Sequence, residues 1–151
     1  MSGKKIWAIL TAQSWSFCKY LPESGVLIQG QAVVEPVAGK ANHKKWREEG
    51  SWFGNNDKSY ACSLVHEYVF EGDRICIYSG PDTKTLLHEF VLKPFKKFPF
   101  AMQHTHLCGQ DSYDCTWVFL SNTSFEMQYT VLGPKKNYHI QALYTGNMPK
   151  L

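Results

Sequence analysis

The stretch from residue 104 to 115, HTHLCGQDSYDC, holds the densest set of side chains able to do chemistry. His104, His106 and Cys108 alternate with Thr105 and Leu107. In a regular strand these three project to one side, roughly 6.5 to 7 Å apart. Two imidazoles and a thiolate are soft donors suited to a transition metal, and Asp111 from the next turn or His88 from a neighbouring strand could complete the set. The same side chains equally suit a polar barrel interior, with the imidazoles hydrogen-bonded and the thiol acting as a small apolar group. The expectation adopted is therefore no resident cofactor, with a transition metal, or haem held by His139 or another barrel histidine, as the alternative.

His106, Asp111 and Tyr113 form a second constellation. A carboxylate beside an imidazole fixes its tautomer and raises its basicity, as a general base requires, and Tyr113 could then supply a proton or orient a carbonyl. That arrangement would suit an isomerase, dehydratase or decarboxylase; the same trio could instead tie down a hairpin. Cys108 beside His106 formally pairs a nucleophile with a base, but nothing readable supplies an oxyanion hole. Phosphate-cradling glycine loops, GxSxG, HExxH and CxxC motifs are all absent, so enzymatic activity stays open.

The third feature is a mixture of rings and polar groups at strand positions. Trp46, Trp52, Tyr68, Phe90, Trp117 and Tyr129 would fill a small barrel or line a cavity within it. His66, His88, His106 and Arg74 are interspersed among them, and inward-facing polar groups are costly unless something satisfies them. This mixture points to a pocket for a small-molecule ligand.

The elements that position these residues are short and strand-like. Cys62, Leu64, His66, Tyr68 and Phe70 share one face of a strand, and Glu71 to Asp73 make a tight hairpin. Further strands are expected over 26–35, 45–52, 74–79, 86–92, 101–108, 113–120, 125–132 and 138–144, with turns at Gly39 to Asn42, Gly54 to Asp57 and Gly80 to Asp82. The stretch from Ile6 to Tyr20 reads as either a short helix or an entry strand. With no helical pattern long enough for parallel crossovers, the fold class is all-β: an antiparallel up-and-down barrel of about eight to ten strands.

The chain has 151 residues, 44% of them hydrophobic and 19% charged, which fits one domain spanning 1–151 with its own core. A net charge of +3 gives no support for a nucleic-acid partner. Lys44, Lys45 and Arg47, with Glu48 and Glu49 after them, read as solvated positions. Five cysteines without a CxxC pair read as reduced, mostly buried thiols in a cytoplasmic protein. No apolar run is long enough for a spanning helix and no signal peptide is evident, so no membrane partner is expected; oligomeric state is not legible.

LLHEF, HLCGQDSY and YTVLGPKKNYHIQALY occur in that order. Together they resemble an uncharacterised family of small lipocalin-like proteins of calycin type, with an HxCxxDxY segment and a GPxKxY turn. The matching positions are His88, His106, Cys108, Asp111, Tyr113, Gly133, Pro134, Lys136 and Tyr138. The resemblance implies a calycin-type barrel whose polar positions form a site, and a Trp, here Trp15, packed over the closed end. The glycine expected before that Trp is replaced by Ala12 or Gln13. Lys136 would then stand over the barrel mouth, favouring an anionic or carbonyl-bearing, partly apolar ligand. The ligand-binding set expected is His66, Tyr68, Arg74, His88, His106, Cys108, Tyr113, Tyr129, Lys136 and Tyr138.

Overall fold

The computed structural model describes residues 3–54, 58–80 and 85–147; the turn positions expected at Asn55 to Asp57 and Pro81 to Asp82 lie outside these. One helix, α1 (Gly3–Thr11), is followed by ten strands. They are β1 (Ser14–Leu21), β2 (Val26–Val37), β3 (Lys40–Phe53), β4 (Ser59–Glu71), β5 (Arg74–Ser79), β6 (Leu86–Val91), β7 (Phe100–Cys108), β8 (Asp111–Ser121), β9 (Ser124–Gly133) and β10 (Lys136–Asn147). The order across the sheet is β6-β5-β4-β3-β2-β1-β10-β9-β8-β7, and every hydrogen-bonded pair is antiparallel. First and last strands pair with each other, so the meander curls into a nearly closed barrel with its seam between β6 and β7.

The stretch from Ile6 to Tyr20 contains both expected elements, a helix and then a strand. The switch occurs at Gln13, whose amide donates to the Ile9 carbonyl at 3.1 Å and the Asn122 carbonyl at 2.9 Å. It thereby satisfies a carbonyl that the helix end leaves without an intrahelical donor. The Trp15 indole does the same for Leu10 at 3.1 Å. Ile6, Ile9 and Leu10 recur at helical spacing, and all three are buried in the barrel core. Trp7 stacks on Phe70, and fully buried Trp15 meets Phe125 edge-on at 4.8 Å. The helix thus plugs one barrel end, and Trp15 lies beneath it.

The β2–β3 ladder passes through facing glycines, Gly30 and Gly50. A Cβ at either position would run into the opposite backbone, so only glycine permits this close approach. Phe17 on β1 pairs with Gly30 and is buried on the inward face.

Two expectations need correcting. The connection placed at Gly39 to Asn42 is shorter, because β3 already begins at Lys40 and takes up Ala41 and Asn42. All five cysteines are free, but only Cys76 and Cys115 are buried; Cys18 and Cys62 are half-buried and Cys108 is exposed. In β1 the inward positions belong to Trp15 and Phe17, which leaves Cys18 on the other face.

Candidate functional site

Toward α1 the barrel interior is apolar and aromatic; past Trp117 and Tyr68 lies a cavity of about 160 Å³ with mostly apolar walls and a few polar groups. The polar side chains reach it from six strands: Lys19 on β1, Glu48 on β3, His66 on β4, His88 on β6, Tyr129 on β9 and Tyr144 on β10. Strand alternation explains each placement. Glu48 shares its face with Trp46, Lys19 with Phe17, and His66 with Tyr68.

Glu48 is only 4% exposed yet charged. Burial alone would raise its pKa, but Lys19 forms an ion pair with one carboxylate oxygen. Tyr144 Oη donates to the other at 2.6 Å, and Trp46 Nε1 donates to the same oxygen at 2.9 Å. Together these partners hold the carboxyl below its ordinary pKa. A buried carboxylate with three partners is the arrangement that makes an interior charge tolerable.

His88 sits on the seam strand β6. Its Nδ1 lies 3.1 Å from His104 Nδ1 on β7, and its Nε2 lies 2.9 Å from Tyr129 Oη. Burial, with His104, His106 and His66 close by, pushes its pKa down to about 4, so the ring is neutral near pH 7. A neutral imidazole has one N–H and one lone pair. The chain Tyr129–His88–His104 therefore has two proton settings: Tyr129 donates to His88, which donates to His104, or each donor reverses. Burial also lowers the pKa of His66, with Lys19 acting in the same direction. The His66 ring makes no hydrogen bond among the described residues.

Four of the expected ligand-binding residues, His66, Tyr68, His88 and Tyr129, line this cavity. His104 and His106 do share the inward face of β7, but Cys108 is at the exposed strand end and joins neither. Among the described residues no group of three or more His, Cys, Asp and Glu side chains is disposed to hold a metal ion. The histidine suggested for haem, His139, is half-exposed and bonded to Glu23.

The expected catalytic trio does not form a unit. The hairpin pairs Cys108 with Asp111 and His106 with Tyr113, setting Asp111 two positions beyond the histidine. Asp111 instead forms an ion pair with Lys136 at 3.2 Å, and Lys136 Nζ also donates to Tyr113 Oη at 2.8 Å. These contacts raise the Lys136 pKa and bind three rim residues together at the end opposite α1. The His106 and Tyr113 rings are 6.0 Å apart. Tyr138, half-buried on β10, lies toward the same end.

Arg74 is not an interior residue. Ile75 and Ile77 occupy the inward positions of β5, and Arg74, on the other face, pairs with Glu89 and with Asp73 at 3.7 Å.

The largest omission from the expected site is the Lys19–Glu48 pair. Glu48 follows Trp46 by two residues inside an expected strand, which was the available signal; the basic residues before it read as solvated instead. Lys19 lay in the segment whose structure was ambiguous. A second cavity of about 190 Å³, bordered by Phe17, Ile28, Cys62 and Leu64, adjoins the first and shares this ion pair as a wall.

No curated protein sequence matches the chain. Among solved structures, the S-type phycobiliprotein lyase CPES from Guillardia theta aligns over 100% of this chain and 94% of its own, with TM-score 0.64 and 9% identity. That likeness shows a shared fold. Two further structures align less closely. EF1p2_mFAP2b bound to DFHBI has TM-score 0.49 and 11% identity over 95% and 98% of the two chains. The redesigned barrel mFAP1 bound to DFHBI has TM-score 0.47 and 10% identity over 91% and 96%. The model of the family of unknown function DUF6314 matches residues 14–146, and the chain belongs to that family.

Proposed function

We propose that the barrel interior binds a small, partly apolar molecule. The observation that carries this reading is the cavity beside Glu48, walled mostly by apolar and aromatic side chains with a few convergent polar groups. That combination characterises small-molecule sites. An apolar cavity of about 150 Å³ is enough to hold benzene, so this one accommodates at least a single ring. Glu48 and His88 have internal partners, so an entering ligand does not have to satisfy them.

Lys136 already serves Asp111 and Tyr113, which weakens the case for an anion held at the mouth. Any acid–base activity would draw on the Tyr129–His88–His104 chain rather than on His106, Asp111 and Tyr113. Five free thiols suit a reducing compartment such as the cytoplasm. No helix among the described residues is long and apolar enough to cross a membrane.

The test is native mass spectrometry of freshly purified protein, followed by thermal-shift screening against small aromatic and aliphatic compounds. Ile140→Trp introduces a large ring into the cavity wall and should abolish stabilisation by any hit. A hit that stabilises this variant and the wild type equally would show that it binds elsewhere and would overturn the interior site.

A further inference from the structure

We propose that the cavity selects a neutral carbonyl compound, with the ligand's carbonyl oxygen accepting a hydrogen bond from the ammonium of Lys19. This assignment rests on the interior binding site proposed above and names the chemical class it takes. Lys19 carries three N–H donors. Among the described residues its only hydrogen bond is to Glu48, and the Phe17 ring lies 5.1 Å from its nitrogen. Its side chain is 15% exposed, and it borders both adjoining cavities. Two N–H donors of a mostly buried ammonium are therefore left for a ligand.

The partner of Lys19 decides which acceptor fits. Glu48 neutralises the ammonium, so an entering carboxylate would place a second anion beside a buried one without a cation to balance it. A ketone or aldehyde oxygen brings a dipole without net charge. It takes a charge-assisted hydrogen bond while the Lys19–Glu48 pair stays intact. A hydrocarbon of the same shape would fill the apolar walls but leave the donors unused. His66 and the Tyr68 hydroxyl are the other groups at the cavity with no hydrogen-bond partner among the described residues, but both are neutral and make weaker donors.

The experiment compares ethylbenzene, acetophenone and benzoate, which share nearly the same skeleton, as ligands of the full chain. Carbonyl-13C acetophenone adds a spectroscopic readout. The wild type should bind acetophenone about tenfold more tightly than ethylbenzene, as a hydrogen bond to a charged group implies, and bind benzoate more weakly than acetophenone. The bound carbonyl carbon should move downfield.

Because Lys19→Met alone strands the Glu48 charge, and Glu48→Gln brings an amide N–H of its own to the cavity, the decisive comparison is Glu48→Gln with and without Lys19→Met. Loss of Lys19 on that background should lower the ketone-to-hydrocarbon affinity ratio severalfold and move the bound carbonyl carbon back upfield. Equal affinity for ketone and hydrocarbon in the wild type would overturn the carbonyl assignment and leave the binding site standing. Tightest binding of benzoate would overturn it in favour of an anion. A carbonyl shift of the same size with and without Lys19 would assign the donor to another group at the cavity, such as His66 or the Tyr68 hydroxyl, and overturn the role of Lys19. Failure of all three probes to bind the wild type would overturn this inference together with the interior site.

Discussion

His88 Nδ1 and His104 Nδ1 lie 3.1 Å apart across the one place where neighbouring strands of the barrel share no ladder. The contact joins β6 to β7, and the Tyr129 hydroxyl on the far side of the His88 ring extends the link to β9. It works only while at least one ring is neutral, because two imidazoliums would turn two donors toward each other. The seam is therefore closed partly by the His88 ring, whose neutrality depends on pH.

Acid should weaken the fold in a defined window. The folded-state pKa of His88, about 4, lies below the unfolded value near 6.5, so the unfolded chain binds more protons between these limits. Stability is full above about pH 6.5 and declines as pH falls toward 4. The loss from His88 is about 2 kcal/mol at pH 5. His66, whose pKa is also lowered, adds to the decline in the same direction. Urea unfolding at pH 7 and pH 5 should show this drop. In His88→Gln, which retains a hydrogen-bonding side chain but does not titrate, the drop should be smaller. An identical drop in both proteins would assign the acid sensitivity elsewhere.

The interior ion pair should behave as a unit. Glu48→Leu removes the partner of a mostly buried ammonium and the acceptor used by Tyr144 and Trp46, at a cost of about 3 to 5 kcal/mol. Removing Lys19 as well should recover part of that loss, because the stranded charge goes with it. A double-mutant cycle by chemical denaturation checks this. Additive effects would mean that the two charges are solvated independently. The lowered pKa of Glu48 means that its contribution is present above the ordinary carboxylate range and is lost only as pH falls through its depressed folded-state value.

Much of the barrel was legible because most of its strands alternate. Most of the nine later strands follow period-two patterns, though β4 and β5 bury the runs Tyr68 to Phe70 and Ile75 to Ile77, and turn residues such as Gly72 and Gly109, both at positive φ, punctuate them. Alternation also placed His66, Tyr68, His88 and Tyr129 inside. It failed for charge pairing, which depends on strands distant in sequence. Asp111 is near His106 along the chain, yet the β9–β10 turn brings Lys136 to it instead. Glu48 looks like the end of a solvated charge run until β1 and β10 bring Lys19 and Tyr144 over it. Arg74 was misplaced by one position of the alternation, which is enough to exchange the two faces of a strand.

The cysteines offer a check on burial that needs no ligand. Cys108 is exposed beside its hairpin turn, whereas Cys115, on the next strand, is buried against Trp117, whose indole nitrogen donates to its sulfur at 3.2 Å. Burial pushes the Cys115 thiol up to about 12, and the thiolate is the reactive form. At pH 8, iodoacetamide should modify Cys108 first. Cys115 should react only in step with unfolding, and peptide mass mapping over time distinguishes the two. Adding denaturant should bring their rates together. Rapid native-state modification of Cys115, which lines the cavity, would mean that burial does not hold its thiol protonated.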